Sequence, residues 1–111
     1  MKYTTEPAFT IQIYLAGNVF AIEQACRSYC MEKGFCVTVT PTKFVYTGGE
    51  ESGVCVGIVN YPRFPATEGE LIEHAKALTE RLITTAYQWT ALIVTPKQSI
   101  WFSRREERDG K

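Results

Sequence analysis

A chain of 111 residues with 12 basic and 12 acidic side chains carries no net formal charge. That balance excludes a global electrostatic pull toward long nucleic acid or an anionic membrane surface. The length sets one compact domain, and no apolar stretch is long enough to span a bilayer.

The N-terminal MKYTTEPAFT lacks the apolar run of a signal peptide, so a cytoplasmic location is expected. The four cysteines are expected as free thiols there. Residues 1–8 read as a mobile polar tail, 9–105 as a single α+β domain and 106–111 as a polar C-terminal tail. Phe9–Ala16 (FTIQIYLA) alternates apolar and polar side chains, the period of a strand with one dry face. Gly17-Asn18 breaks it, and the Asn18 side chain suits a helix N-cap. The predicted helix carries Val19, Ile22, Cys26, Tyr29 and Cys30 on one face and stops at Lys33-Gly34.

Phe35–Thr40 reads as a β-branched strand, Thr-Pro-Thr-Lys at 40–43 as a turn, and Phe44–Thr47 as the returning arm. A polar loop at 48–53 separates this from a strand over Val54–Tyr61. Thr67-Glu68-Gly69-Glu70 is a capping box opening a second helix with Leu71, Ala75, Leu78, Leu82 and Ala86 on one face. Thr90–Thr95, a turn at Pro96 and Ser99–Ser103 repeat the strand–turn–strand order. The expectation is an α+β fold, a mainly antiparallel sheet with two helices on one face, built as two β-α-β-β halves. The alternative keeps each Thr-Pro inside one bent strand and gives a ferredoxin-like β-α-β-β-α-β order. The two arrangements place Arg63 and Arg104 differently: at one end of the sheet with bent strands, at opposite ends with hairpins.

Phe44-Val45-Tyr46 and Ile100-Trp101-Phe102 are apolar on both faces of their strands. Helices cover only one face, so the other side chains need a partner. Self-association as a homo-oligomer, at least a dimer, is the simplest answer.

Chemistry is sparse. No Cys-x-x-Cys pair occurs, and the only histidine is His74, so the cysteines read as core residues and no metal or cofactor is expected. Glu68, Glu70 and Glu73 crowd a helix start, where the dipole favours carboxylates. Gly48-Gly49 and Gly53 lack the Lys-Ser/Thr of a phosphate loop. No catalytic constellation stands out, and a thiolate enzyme is the least supported reading.

Asn60-Tyr61-Pro62-Arg63-Phe64-Pro65 is the most informative segment. Its prolines stiffen Arg63-Phe64, so docking a ligand costs little entropy. Arginine pairs with phosphate through its planar fork, an aromatic ring stacks on a base, and Asn60 can read a base edge or ribose hydroxyl. Arg104-Arg105 closes the last strand, and Arg27 lies on the polar side of the first helix. The candidate ligand-binding set is therefore Arg27, Asn60, Arg63, Phe64, Trp101, Arg104 and Arg105.

Thr40–Pro65 followed by "WFSRR" resembles small bacteriophage-encoded proteins, in particular the phage anti-Thoeris signal-sponge family. That resemblance implies a non-enzymatic oligomer in the host cytoplasm. Such an oligomer sequesters a small anionic nucleotide-derived ligand, such as a cyclic nucleotide or cyclic ADP-ribose-type signal, as counter-defence. Only residue types carry over: Arg27, Arg63 or Arg104 for phosphates, and Phe64 or Trp101 for the base. The alternative is an interaction module that docks a protein partner through the aromatic sheet face.

Overall fold

The structure, a computed structural model, describes residues 1–104. The element order is β1 (Thr10–Ala16), α1 (Val19–Lys33), β2 (Thr38–Tyr46), β3 (Gly49–Val59), α2 (Glu68–Ala86), β4 (Thr90–Val94) and β5 (Ser99–Ser103). The strands form one sheet in the order β2-β3-β1-β4-β5, and every neighbouring pair is antiparallel. The expected class, an antiparallel sheet with two helices on one face, is what the chain adopts. Its first six elements follow the ferredoxin-like order, and β5 adds a further strand at the β4 edge.

Alternation decides which face is dry. Ile11, Ile13 and Leu15 of β1, Val54, Val56 and Ile58 of β3, and Ala91 and Ile93 of β4 are buried under the helices. They meet Ile22, Cys26 and Tyr29 of α1 and Leu71, Ala75, Leu78, Leu82 and Ile83 of α2. The helix ends form as their sequences direct. Asn18 Oδ1 accepts from the Ala21 N–H, and Thr67 and Glu70 close a reciprocal capping box.

The two Thr-Pro segments part company. Thr95 Oγ1 accepts from the N–H groups of Lys97 and Gln98, so Thr95–Gln98 is the expected turn. Thr40-Pro41 is not a turn: it lies within β2, with Pro41 opposite Val54. β2 is an edge strand, where a missing proline N–H is tolerated. The reversal occurs later, at Thr47-Gly48, where Gly48 adopts φ 87°. The expected polar loop over 48–53 is accordingly the first half of β3, paired with the distal half of β2 as a two-stranded arm.

This topology fixes the arginines. Thr10 opposite Val59 and Gln12 opposite Val94 put the exits of β3 and β4 at one end of the sheet. Thr90 opposite Ser103 returns the end of β5 to the other. Arg63 and Arg104 therefore lie at opposite ends of the sheet. Arg105 and the expected tail at 106–111 lie outside the described residues. Among the described residues no helix is long and apolar enough to cross a membrane.

Candidate functional site

The end of α1 builds one wall of a cavity of about 520 Å³. Gly34 takes φ 65°, and the N–H groups of Gly34 and Phe35 both donate to the Cys30 carbonyl, at 2.9 and 3.1 Å. This αL stop folds Phe35 back over the helix. Its ring stacks on the imidazole of His74, centroids 4.3 Å apart and planes 21° apart. The His74 Nδ1 lies 2.6 Å from the hydroxyl of Tyr29, a residue sealed in the core. Arg81 lies over the Tyr29 ring and pairs with Glu32. Burial, partly offset by Arg81, pushes the Tyr29 phenol above its ordinary range.

The opposite wall is the exit of β3 and the segment after it. Val59, Tyr61, Phe64, Pro65 and Ala66 line the space. Asn60 fixes this segment: its Oδ1 accepts from the Ala66 N–H at 3.0 Å and its Nδ2 donates to the Pro7 carbonyl at 3.0 Å. The Cys36 thiol lies 3.7 Å from the Tyr61 hydroxyl, and that contact raises the Tyr61 phenol.

The start of α2 closes the floor. Glu70 accepts from the Thr67 N–H at 2.8 Å, and hydrogen bonds from Thr67 hold its carboxyl below the usual range. Glu70 is thus an ionised group at the cavity, beside His74. A volume of this size falls within the roughly 300–1,000 Å³ typical of small-molecule sites. The described wall offers rings, thiols, a phenol, an imidazole and a carboxylate, but no lysine or arginine.

Two solved structures share this fold. One is a phage SAM lyase in complex with S-methyl-5'-thioadenosine, matched with a TM-score of 0.73 at 15% identity over 96% of this chain and 98% of the other. The second is a phage SAM lyase in the apo state, with a TM-score of 0.76 at 14% identity over 96% and 97% of the two chains. No family model and no curated protein matches the sequence. At this identity the likeness establishes the fold. It also corrects the expectation of a non-enzyme, which rested on the absence of a catalytic signature in sequence and on the signal-sponge resemblance. The same architecture, matched over nearly its whole length, belongs to a lyase.

The sequence-derived candidates scatter across the molecule. Phe64 lines the cavity, Asn60 braces it, and Arg63 stands over the Phe64 ring at 5.3 Å. Arg27 pairs with Glu23 along a neighbouring groove. Trp101 lies on the open sheet face, and Arg104 stacks over Trp89 at 5.2 Å, at the far end of the sheet from Arg63. The residues sequence reasoning set aside are the ones that converge. His74 and Glu70 stand one helical turn apart on α2, a spacing visible in the sequence. Phe35, Cys36 and Tyr61 join them only through the αL stop and the antiparallel exit of β3.

Proposed function

We propose that this protein is an enzyme acting on a small nucleoside-derived sulfonium, of the S-adenosylmethionine class, in the cavity between the end of α1, the exit of β3 and the start of α2. The composition of the described wall carries this reading. Arginine or lysine in the wall would favour a phosphate-bearing ligand, and the described wall has an ionised Glu70 instead. A nucleoside without phosphate, neutral or positively charged, fits that electrostatics. Phe35, His74 and Phe64 offer faces for a purine, and rings also attract an onium charge.

The chemistry asks little of the protein. S-Methyl-5'-thioadenosine is what remains when S-adenosylmethionine loses its aminobutyrate arm. The bond from sulfur to the γ-carbon breaks, its electron pair stays on sulfur, and the positive charge there is discharged. If the substrate's own carboxylate attacks the γ-carbon, a lactone closes and no proton need be exchanged with the protein. The cavity then acts by folding the arm back and excluding water. Glu70 serves best by anchoring hydroxyl or ammonium groups away from the sulfur. A carboxylate against the sulfonium would stabilise the reactant more than the transition state, where that charge is disappearing.

Self-association is a second part of this reading. Thr40, Cys55, Tyr14, Leu92 and Trp101 are register partners across the sheet on the face away from the helices. Phe44 and Trp101 line a shallow apolar groove there. A second copy covers that face in the proposed assembly.

Purified protein incubated with S-adenosylmethionine, followed by liquid chromatography and mass spectrometry, tests the activity. The expected product is S-methyl-5'-thioadenosine, formed in proportion to protein. Folded protein that neither forms it nor binds it in calorimetry removes the proposal.

A further inference from the structure

Two of the cysteines stand in the wall of this cavity. Cys30 occupies the last turn of α1, and Cys36 follows the αL stop at Gly34. Because the N–H groups of Gly34 and Phe35 both bond back to the Cys30 carbonyl, the chain reverses tightly over the helix end. The bond from Phe35 sets the residue next to Cys36 directly against the Cys30 carbonyl. Both cysteines also line the adjoining groove on the α1 surface. Cys26 also stands beside Cys30, one turn earlier on α1. Cys26 is sealed in the core, and Cys55 lies on the opposite face of the sheet.

We propose that Cys30 and Cys36 are an oxidisable dithiol, and that its disulfide reshapes the cavity wall and weakens ligand binding. The roles divide by exposure: Cys36 is exposed and Cys30 is half-buried. A peroxide is the oxidant. The Cys36 sulfur attacks one peroxide oxygen, the O–O bond breaks, and a sulfenic acid and one water result. The Cys30 sulfur then attacks the Cys36 sulfur, the S–O bond breaks, and a second water leaves. Two thiols and one hydrogen peroxide thus give one disulfide and two waters.

The consequence for the cavity follows from what Cys36 touches. Drawing its sulfur to Cys30 removes it from the Tyr61 hydroxyl on the opposite wall. It also shifts Phe35, the residue just before Cys36, which stacks on His74. The dithiol itself rests on geometry alone, whereas its effect on binding rests on the function proposed above.

Treatment of the native protein with hydrogen peroxide, then intact mass measurement and peptide mapping, tests the pair. The expected result is a loss of two hydrogens, mapped to a Cys30–Cys36 crosslink, reversed by dithiothreitol and abolished in both Cys36→Ser and Cys30→Ser. The wild-type peptide map decides the matter even if Cys30→Ser does not fold. Sulfinic or sulfonic acid on Cys36 with Cys30 still reduced overturns the proposal. Calorimetry with S-methyl-5'-thioadenosine is expected to show affinity about tenfold weaker for the oxidised form. Equal affinity of the two forms overturns the effect on the cavity. No binding by the reduced form counts against the proposed function and leaves the crosslink result standing on its own map.

Discussion

The hydroxyl of Tyr29 on α1 lies 2.6 Å from Nδ1 of His74 on α2, and this contact joins the two helices at the edge of the cavity. With the imidazole proton on Nε2, the Tyr29 O–H donates to Nδ1. Tyr29→Phe keeps the ring and its packing but leaves Nδ1 without that donor. The expected cost is about 1 kcal/mol of unfolding free energy in urea denaturation. An unchanged midpoint with an unchanged slope would show that the contact contributes nothing.

Thr67 and Glu70 share the capping box, yet turnover separates them in a mutational test. Thr67→Ala removes the hydroxyl that accepts from the Glu70 N–H at 3.0 Å and is expected to cost about 1 kcal/mol. Glu70→Gln keeps an oxygen for the Thr67 N–H and removes the charge from the cavity. It is expected to lose, at neutral pH, the stability that the ionised carboxylate contributes, while turnover of S-adenosylmethionine falls at least about tenfold. Turnover equal to wild type would detach Glu70 from the site.

The same carboxylate sets an acid limit. Its folded value is depressed, so its contribution is present above the unfolded value and is lost as pH falls through the folded one. Wild-type protein is therefore expected to lose stability on acidification below the ordinary carboxylate range. Glu70→Gln is expected to lose less over that interval, as read by thermal melts in a pH series.

Thr79 is fully buried on α2, and its hydroxyl has no hydrogen-bond partner among the described residues. Thr79→Val keeps the shape and removes the unpaired group. The expected change is stabilising, by about 1 kcal/mol, because no hydrogen bond is given up. A lower melting temperature would mean that the hydroxyl has a partner after all.

Burial pushes the Cys26 thiol up from 9.0 to about 12, with Cys30 and Glu23 adding to it. A thiol protected in this way favours the folded state at neutral pH, and that contribution is lost as pH rises from 9.0 toward about 12. Alkylation with iodoacetamide is expected to reach exposed Cys36 first and Cys26 only on unfolding, with peptide mapping over time as the measurement. Early labelling of Cys26 would contradict its burial.

Trp101→Asp places a charge in the middle of the open sheet face. Native mass spectrometry is expected to show an oligomer for the wild type and a monomer for the variant, with the fold retained by circular dichroism. A wild-type monomer at micromolar concentration would remove the proposed assembly.

What the chain alone determined is local. Asn18, Gly34 and the Thr67–Glu70 box set the helix ends, and alternation over Phe9–Ala16 and Val54–Val59 set the buried face, because caps and periodicity act between near neighbours. Two identical Thr-Pro pairs could not be told apart that way. Pro41 stays in an edge strand because β3 extends to pair with it and Gly48 makes the turn, whereas Thr95 closes a turn with its own hydroxyl. The cavity was still less accessible to sequence reasoning. Phe35, Tyr61, Glu70 and His74 come from three separate segments, and their side chains meet only when α1, β3 and α2 pack on one sheet. Neighbouring arginines drew attention along the chain, but antiparallel return of β5 sent Arg104 to the end of the molecule far from Arg63.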